Sequence, residues 1–235
     1  MQAFELLASS PTAFAVVALL VGLLVGSFLN VVIHRLPQMM ERQWIRECAT
    51  LSGQTLEESP PFNLVVPRSR CPACSTQIRA IHNVPVVSWL LLRGRCASCK
   101  APISPRYPIV ELLTGIASAW VAWHFGWGFE ALAAIVITWM LIALTGIDVD
   151  HQLLPDAITL PLLWLGLVAS LTHVPGSDWA LPVSPRDAII GAAAGYLFLR
   201  LVFEVFKLIT GKEGMGFGDF KLLAALGAWL GWQML

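Results

Sequence analysis

Residues 14–33 read FAVVALLVGLLVGSFLNVVI, a stretch of the chain without a single charged residue. A helix of about 20 apolar residues crosses the roughly 30 Å hydrocarbon core of a bilayer. This stretch therefore predicts a first transmembrane span. The composition agrees, because 57% of the 235 residues are hydrophobic and only 13% are charged, unlike the composition of a soluble domain.

Further apolar stretches predict five more spans, and together the six indicate an all-α, polytopic helical membrane bundle. The additional stretches cover about residues 109–125, 131–147, 157–173, 188–209 and 220–235. The last has only about 16 residues, or about 24 Å of helix. That length is short for a span, and it predicts that the chain is truncated at its C-terminus.

The distribution of basic residues predicts the orientation in the membrane. Ten of the fifteen Lys and Arg residues lie within residues 35–106, between the first two spans. Because cytoplasmic loops carry an excess of Lys and Arg, residues 34–107 are predicted to be cytoplasmic and the N-terminus periplasmic. Alternation then places residues 148–156 and 211–219 inside, and residues 126–130 and 175–187 outside. The net charge of zero argues against a nucleic-acid partner.

Four cysteines in the predicted cytoplasmic segment predict a structural zinc site. Cys71 and Cys74 form one C-x-x-C pair, and Cys96 and Cys99 form a second pair 21 residues further on. Two such turns can complete a tetrahedral four-sulfur shell, which leaves no open position for a substrate. Two disulfides are the alternative, but the reducing cytoplasm disfavours them. Cys48 is left over and is interpreted as a free thiol.

Two acidic loops on the predicted inner face suggest a catalytic site. They read GIDVDHQLLPD at residues 146–156 and GMGFGDFK at residues 214–221. Two carboxylates that share a site can hydrolyse a peptide, because one stays protonated as an acid while the other activates water. The glycines beside Asp219 would permit close backbone approach and unusual backbone angles. The ordinary alternative is helix capping, expected for Asp156 and open for Asp219.

In addition to these features, three motifs make the chain resemble the type IV prepilin peptidases over nearly its whole length. The motifs are GSFLNVVIHRLP at residues 26–37, ISPRYPIVE at residues 103–111, and GFGD at residues 216–219, a G-x-G-D signature. The paired cysteines belong to the same pattern. Members of that family are bifunctional leader peptidases and N-methyltransferases that serve type IV pili and type II secretion, and they usually continue with further hydrophobic helices beyond the equivalent of Leu235.

The resemblance implies roles for particular residues. The family's first catalytic aspartate precedes the loop proline by seven residues, which selects Asp148 over Asp150, and the G-x-G-D aspartate is Asp219, supported by Gly216 and Gly218. Gly94 and Glu111 match positions that the family associates with methyl transfer. The implied reaction removes a short basic leader from a prepilin or pseudopilin, after glycine, and then methylates the new N-terminus from S-adenosylmethionine.

These inferences predict three regions and a set of partners. Residues 1–33 form the first span, residues 34–107 the cytoplasmic zinc-binding domain, and residues 108–235 the aspartyl protease core. The expected partners are prepilin or pseudopilin substrates and the lipid of a bacterial inner membrane, and no signal specifies an oligomeric state. Two alternatives stay open. One is a non-catalytic membrane assembly factor or transporter with a structural zinc module, and the other is a G-x-G-D protease that cuts a different substrate.

Overall fold

The described residues of the computed structural model, 2–53, 60–173 and 182–235, form α-helices and no β-strand apart from two isolated bridges. The prediction of an all-α fold is confirmed. The helices are α1 (Gln2–Ser9), α2 (Pro11–Leu51), α3 (Val87–Leu91), α4 (Arg106–Phe125), α5 (Phe129–His151), α6 (Asp156–Ser170), α7 (Pro185–Thr210) and α8 (Phe217–Leu230).

Three helices are long and apolar enough to cross a membrane, namely α2, α5 and α7. Each of the six apolar stretches of the sequence falls on a helix of the structure. Among the described helices, however, α4, α6 and α8 do not reach the same combination of length and hydropathy. The outer loop predicted at residues 175–187 lies partly outside the described residues, which omit residues 174–181.

Helix α2 is much longer than the first predicted span. It begins at Pro11, where the Ser10 hydroxyl caps the helix by accepting the N–H of Ala13 at 3.3 Å. It continues through Pro37 to Leu51, a total of 41 residues or about 62 Å. This is about twice the thickness of the hydrocarbon core. The second half of α2 therefore belongs to the segment that the sequence assigned to the cytoplasm.

The chain divides into two compact units, Met1–Gly146 and Ile147–Leu235. In the first unit, α2 packs closely on α4 through small residues, as is common between membrane helices. A Cβ added to Gly22 would lie 2.5 Å from the Ser118 hydroxyl, and one added to Gly26 would lie 2.7 Å from Glu111 Cα. Close packing at Gly26 thus fixes the level at which Glu111 meets α2.

The second unit packs α8 against α6 and α7. The indole N–H of Trp229 donates to the Leu162 carbonyl at 2.8 Å and joins α8 to α6. Phe220 is fully buried, and its ring lies 5.6 Å from that of Phe203 on α7. These contacts hold the first turn of α8, which carries the G-x-G-D sequence, against its neighbours.

Candidate active site and metal centre

Two tight turns carry the four cysteines. In the first turn the Cys71 N–H donates to the Thr76 carbonyl at 3.0 Å, and the Cys71 carbonyl accepts from the Ser75 N–H at 2.8 Å. The second turn repeats both hydrogen bonds around Cys96. Ser75 and Lys100, which follow the second cysteine of each pair, have φ angles of 55° and 61°. The sequence repeat is therefore also a structural repeat.

The four sulfurs converge on one point. All four Sγ atoms lie within 4.8 Å of one another, and the sulfurs of Cys71 and Cys99 are 3.8 Å apart. Tetrahedral zinc with bonds of about 2.3 Å would hold its sulfurs about 3.8 Å apart. The structure pairs none of these cysteines in a disulfide. The cluster therefore fits a metal ion, and four thiolates would complete a shell of the structural type.

The thiols of the cluster differ in acidity because they share hydrogen bonds. The hydroxyl of Thr76, followed by its backbone N–H, lowers the pKa of Cys74 to about 6. The backbone N–H of Cys99 lowers the pKa of Cys96. The Ala101 N–H lowers the pKa of Cys99, but the hydrogen bond with the Cys74 sulfur, burial, and the hydrogen bonds with the Cys96 and Cys71 sulfurs together raise this pKa to about 11. Metal ligands must be thiolates, so a bound cation would displace the proton held among these sulfurs.

Glu111 connects the cysteine-bearing segment to the α2–α4 pair. Its side chain is buried between the helices, with 8% of the residue exposed. The carboxylate accepts the Val86 N–H at 2.7 Å, and Ser27 of α2 supplies a second hydrogen bond. Val86 immediately precedes α3 and has a φ of 60°. Glu111 therefore holds the start of α3 against the membrane helices.

Gly94 lies at the other end of the same short helix. It has a φ of 66°, and a Cβ at this position would lie 2.9 Å from the Trp89 ring of α3. The Gly94 N–H donates to the Trp89 carbonyl at 2.9 Å, and the Trp89 indole donates to Ile103 at 3.2 Å. Gly94 and Glu111 thus contact opposite ends of α3, an arrangement that their separation in sequence did not reveal.

The two candidate catalytic aspartates occupy opposite kinds of helix end. Asp148 is exposed in the last turn of α5, and its carbonyl accepts the Gln152 N–H at 2.8 Å. Asp219 is partly exposed in the first turn of α8, where its carboxylate accepts the Gly216 N–H at 3.2 Å. Glycine has no side chain to return this bond, so the arrangement is one half of a capping box. Asp219 is thus not the N-cap of α8, but its carboxylate bonds the N–H of the N-cap residue Gly216 through one oxygen and leaves the other oxygen uncommitted.

Neither glycine of the G-x-G-D sequence has a left-handed backbone angle, and only Gly218 is required by close packing. Gly216 has a φ of −79°, which any residue adopts. A Cβ on Gly218, by contrast, would lie 2.7 Å from the Leu154 Cβ. The expectation of unusual backbone angles at these glycines was wrong, because none of them has a positive φ. Gly218 lacks a side chain because the loop that follows α5 occupies the space beside it.

Asp156 and Lys221 form an ion pair that joins the same two segments. The Lys221 ammonium lies 2.7 Å and 2.6 Å from the two carboxylate oxygens of Asp156. The prediction that Asp156 caps α6 was wrong, since Asp156 is the first helical residue and Pro155 occupies the cap position without a side-chain hydrogen bond. Sequence reasoning missed Lys221, and its only signal was a charge opposite to that of a residue 65 positions away.

Comparison with known proteins identifies the family of the chain. The profile of the bacterial peptidase A24 N-terminal domain matches residues 20–125, and that of the type IV leader peptidase family matches residues 135–235. Proteins named prepilin leader peptidase/N-methyltransferase from Stutzerimonas stutzeri and Pseudomonas aeruginosa are 56% and 55% identical to the chain. Each alignment covers 100% of this chain and 79% of the relative.

The chain belongs to the type IV leader peptidase family.

A relative of the same name from Neisseria gonorrhoeae is 54% identical over 94% of this chain and 76% of its own length. No solved structure gave a significant match. Within this type IV leader peptidase, the four cysteines, Gly94 and Glu111 fall in the N-terminal match, whereas both candidate catalytic aspartates fall in the C-terminal match. The two sets of candidate residues therefore fall within the matches of two different family profiles.

Proposed function

We propose that the chain is a prepilin leader peptidase and N-methyltransferase that uses Asp148 and Asp219 for cleavage. The observation that carries the activity is the match to relatives of that name over the whole chain. The residue assignment is supported by the positions of both aspartates, at the ends of helices and next to loops. Its substrates are prepilins, and we extend them to the pseudopilins of type II secretion.

The chemistry of the proposed pair requires two carboxylates in different protonation states. One ionised carboxylate takes a proton from water, and the water oxygen then attacks the scissile carbonyl carbon. The other, protonated carboxylate supplies the proton that the departing amine needs. The positive end of the α8 dipole favours negative charge at Asp219, whereas Asp148 lies at the negative end of α5. We therefore assign the base to Asp219 and the acid to Asp148.

Membrane placement follows from the apolar helices and from the distribution of basic residues. The chain is a membrane protein, and we infer a bacterial inner membrane with the N-terminus in the periplasm. In this orientation residues 34–107, Asp148 and Asp219 face the cytoplasm, where a basic leader would be presented. Residues 34–107 then form the cytoplasmic domain and residues 108–235 the protease core, with the long α2 extending from the membrane into the cytoplasmic domain.

The cysteine cluster and α3 are assigned to the methyltransferase part of the proposed function. Cys71, Cys74, Cys96 and Cys99 would hold one Zn²⁺, which supplies cross-linking of the two turns rather than catalysis. S-adenosylmethionine is the methyl donor and therefore a substrate. Gly94 and Glu111 are the candidate residues for methyl transfer, and their contacts with the two ends of α3 favour a positioning role.

Leader release from a prepilin, measured by mass after reconstitution of the chain in lipid, tests the peptidase assignment. Asp148→Asn and Asp219→Asn should each lower cleavage by roughly 10²–10⁴-fold, the usual contribution of a general acid or base. Asparagine retains an oxygen that can accept the Gly216 N–H, so the second substitution preserves the helix cap. Asp150→Asn is the matched control and should cleave normally. Cleavage at the wild-type rate in both catalytic variants would rule out an aspartyl protease.

A further inference from the structure

The segment around α3 exposes a cluster of apolar side chains. Its members are 45% to 78% exposed, and we call them the apolar patch: Ile81, Val84, Val87, Leu90 and Leu91. All five lie within positions 81–91 of the chain, which contain the end of a 3-10 helix at Ala80–Asn83 and the whole of α3. A cluster of exposed apolar side chains usually marks a surface that contacts something other than water.

Hydrogen bonding fixes the depth of this patch relative to the membrane helices. The Val86 N–H bonds the Glu111 carboxylate at 2.7 Å, and Glu111 Cα packs against Gly26 of α2. Gly26 lies seven residues before Ile33, the end of the apolar stretch, or about 10 Å along the helix. Gly26 thus lies inside the predicted first span, and the start of α3 is separated from the level of Gly26 only by the length of the Glu111 side chain. A patch at this depth meets the bilayer rather than bulk water.

The charges around the patch complement an anionic membrane surface. Residues 60–110 contain seven Lys and Arg residues and no Asp or Glu. Arg79, Arg93 and Arg95 directly flank the patch in sequence. Long basic side chains can bury their stems among lipid while their charged ends contact headgroups. Basic residues near an anionic leaflet are attracted to its headgroups.

We propose that the apolar patch inserts into the bilayer leaflet on the side of the four-cysteine domain, with the flanking arginines on anionic phospholipid headgroups. The patch then anchors this domain at the membrane surface, in addition to the connections through α2 and α4. The proposal requires a membrane-embedded chain but neither leader cleavage nor methyl transfer, so its failure would leave the proposed function unaffected.

Photo-crosslinking of the full chain in vesicles tests this contact directly. A p-benzoylphenylalanine residue replaces Leu91, and the chain is reconstituted in phosphatidylethanolamine with phosphatidylglycerol. Leu51 is the matched control, because it is a leucine with 89% exposure that lies about 27 Å along α2 from Ile33. Mass analysis after illumination should find phospholipid adducts at position 91 and none at position 51.

Three results would overturn the proposal. They are the absence of phospholipid adducts at position 91, equal adduct yields at both positions, and adducts at position 91 that join the chain to a second copy or to another protein. A parallel reconstitution in phosphatidylcholine tests the arginine contacts, which predict a lower adduct yield at position 91. A yield that does not change with headgroup charge would contradict the anionic part of the proposal.

Discussion

Exchange of Glu111 for glutamine and for alanine distinguishes a positioning carboxylate from a catalytic one. The Glu111 carboxylate accepts the Val86 N–H at 2.7 Å in a buried position. Alanine removes the acceptor and leaves this donor unpaired, at a cost of about 1–3 kcal/mol. Glutamine keeps an acceptor oxygen and gives up only the charge, for which we estimate about 1 kcal/mol from the difference between charged and neutral hydrogen bonds.

These energies translate into an order of effects on methyl transfer. If transfer requires α3 to be held against α4, the equilibrium constant between the held and released states falls by roughly 5- to 150-fold in Glu111→Ala, since about 1.4 kcal/mol is a factor of ten, and this factor is the upper limit of the loss of methyl transfer. The loss in Glu111→Gln should be about fivefold by the same conversion. If Glu111 instead removes a proton from the amine, glutamine should be as inactive as alanine, because an amide cannot act as a base.

The assay measures methylation of an already processed pilin peptide by mass, with leader cleavage as an internal control. Hydrogen exchange at residues 86–92 reports separately whether α3 has been released. Thr114→Val is the matched control, because Thr114 is fully buried on α4 and its hydroxyl bonds only the Val110 carbonyl within the same helix. Equal loss of methylation in the glutamine and alanine variants, with unchanged exchange at α3, would refute the positioning role.

Three further experiments test the ion pair, the glycine contact and the cysteine cluster. Asp156→Lys or Lys221→Asp should each slow leader cleavage by up to about fivefold, the effect of an exposed pair worth about 1 kcal/mol, and the double exchange should restore it. Unchanged rates in both single variants would contradict a positioning role for the pair. Gly218→Ala should cost about 1–3 kcal/mol of stability by crowding the Leu154 Cβ, which a melting curve measures, and Leu154→Gly, which removes that Cβ, should relieve part of the crowding. Cys96→Ser should lower the zinc content of the purified protein; unchanged zinc would mean that the cluster is not the metal site.

The ion pair between Asp156 and Lys221 also changes which residues can serve as controls. From sequence, Asp156 was expected only to cap α6, so its substitution should have been nearly silent. In the structure its carboxylate joins the start of α6 to the helix that carries Asp219. Together with the contact between Gly218 and Leu154, this pair fixes one candidate catalytic segment against another. Asp156 is therefore not a silent control.

The sequence by itself determined the features that depend on local hydropathy and short spacing. Uncharged stretches of span length predicted where helices lie, because a helix in a bilayer satisfies its own backbone and needs only apolar side chains. The C-x-x-C pairs predicted the four-sulfur cluster, since each pair forms its turn locally. The motifs from residue 26 to Asp219 identified the family, which the comparisons confirm.

Only the tertiary structure decided which distant residues meet. Glu111 contacts Val86 across 25 residues, and Lys221 contacts Asp156 across 65, because helix packing brings those segments together. Neither pairing has a periodicity or spacing that a sequence could display. The continuation of α2 through Pro37 also depends on context, because a proline usually kinks or ends a helix. Local hydropathy and spacing thus determined the helices and the four-cysteine cluster, whereas long-range packing determined which residues hold the helices in position.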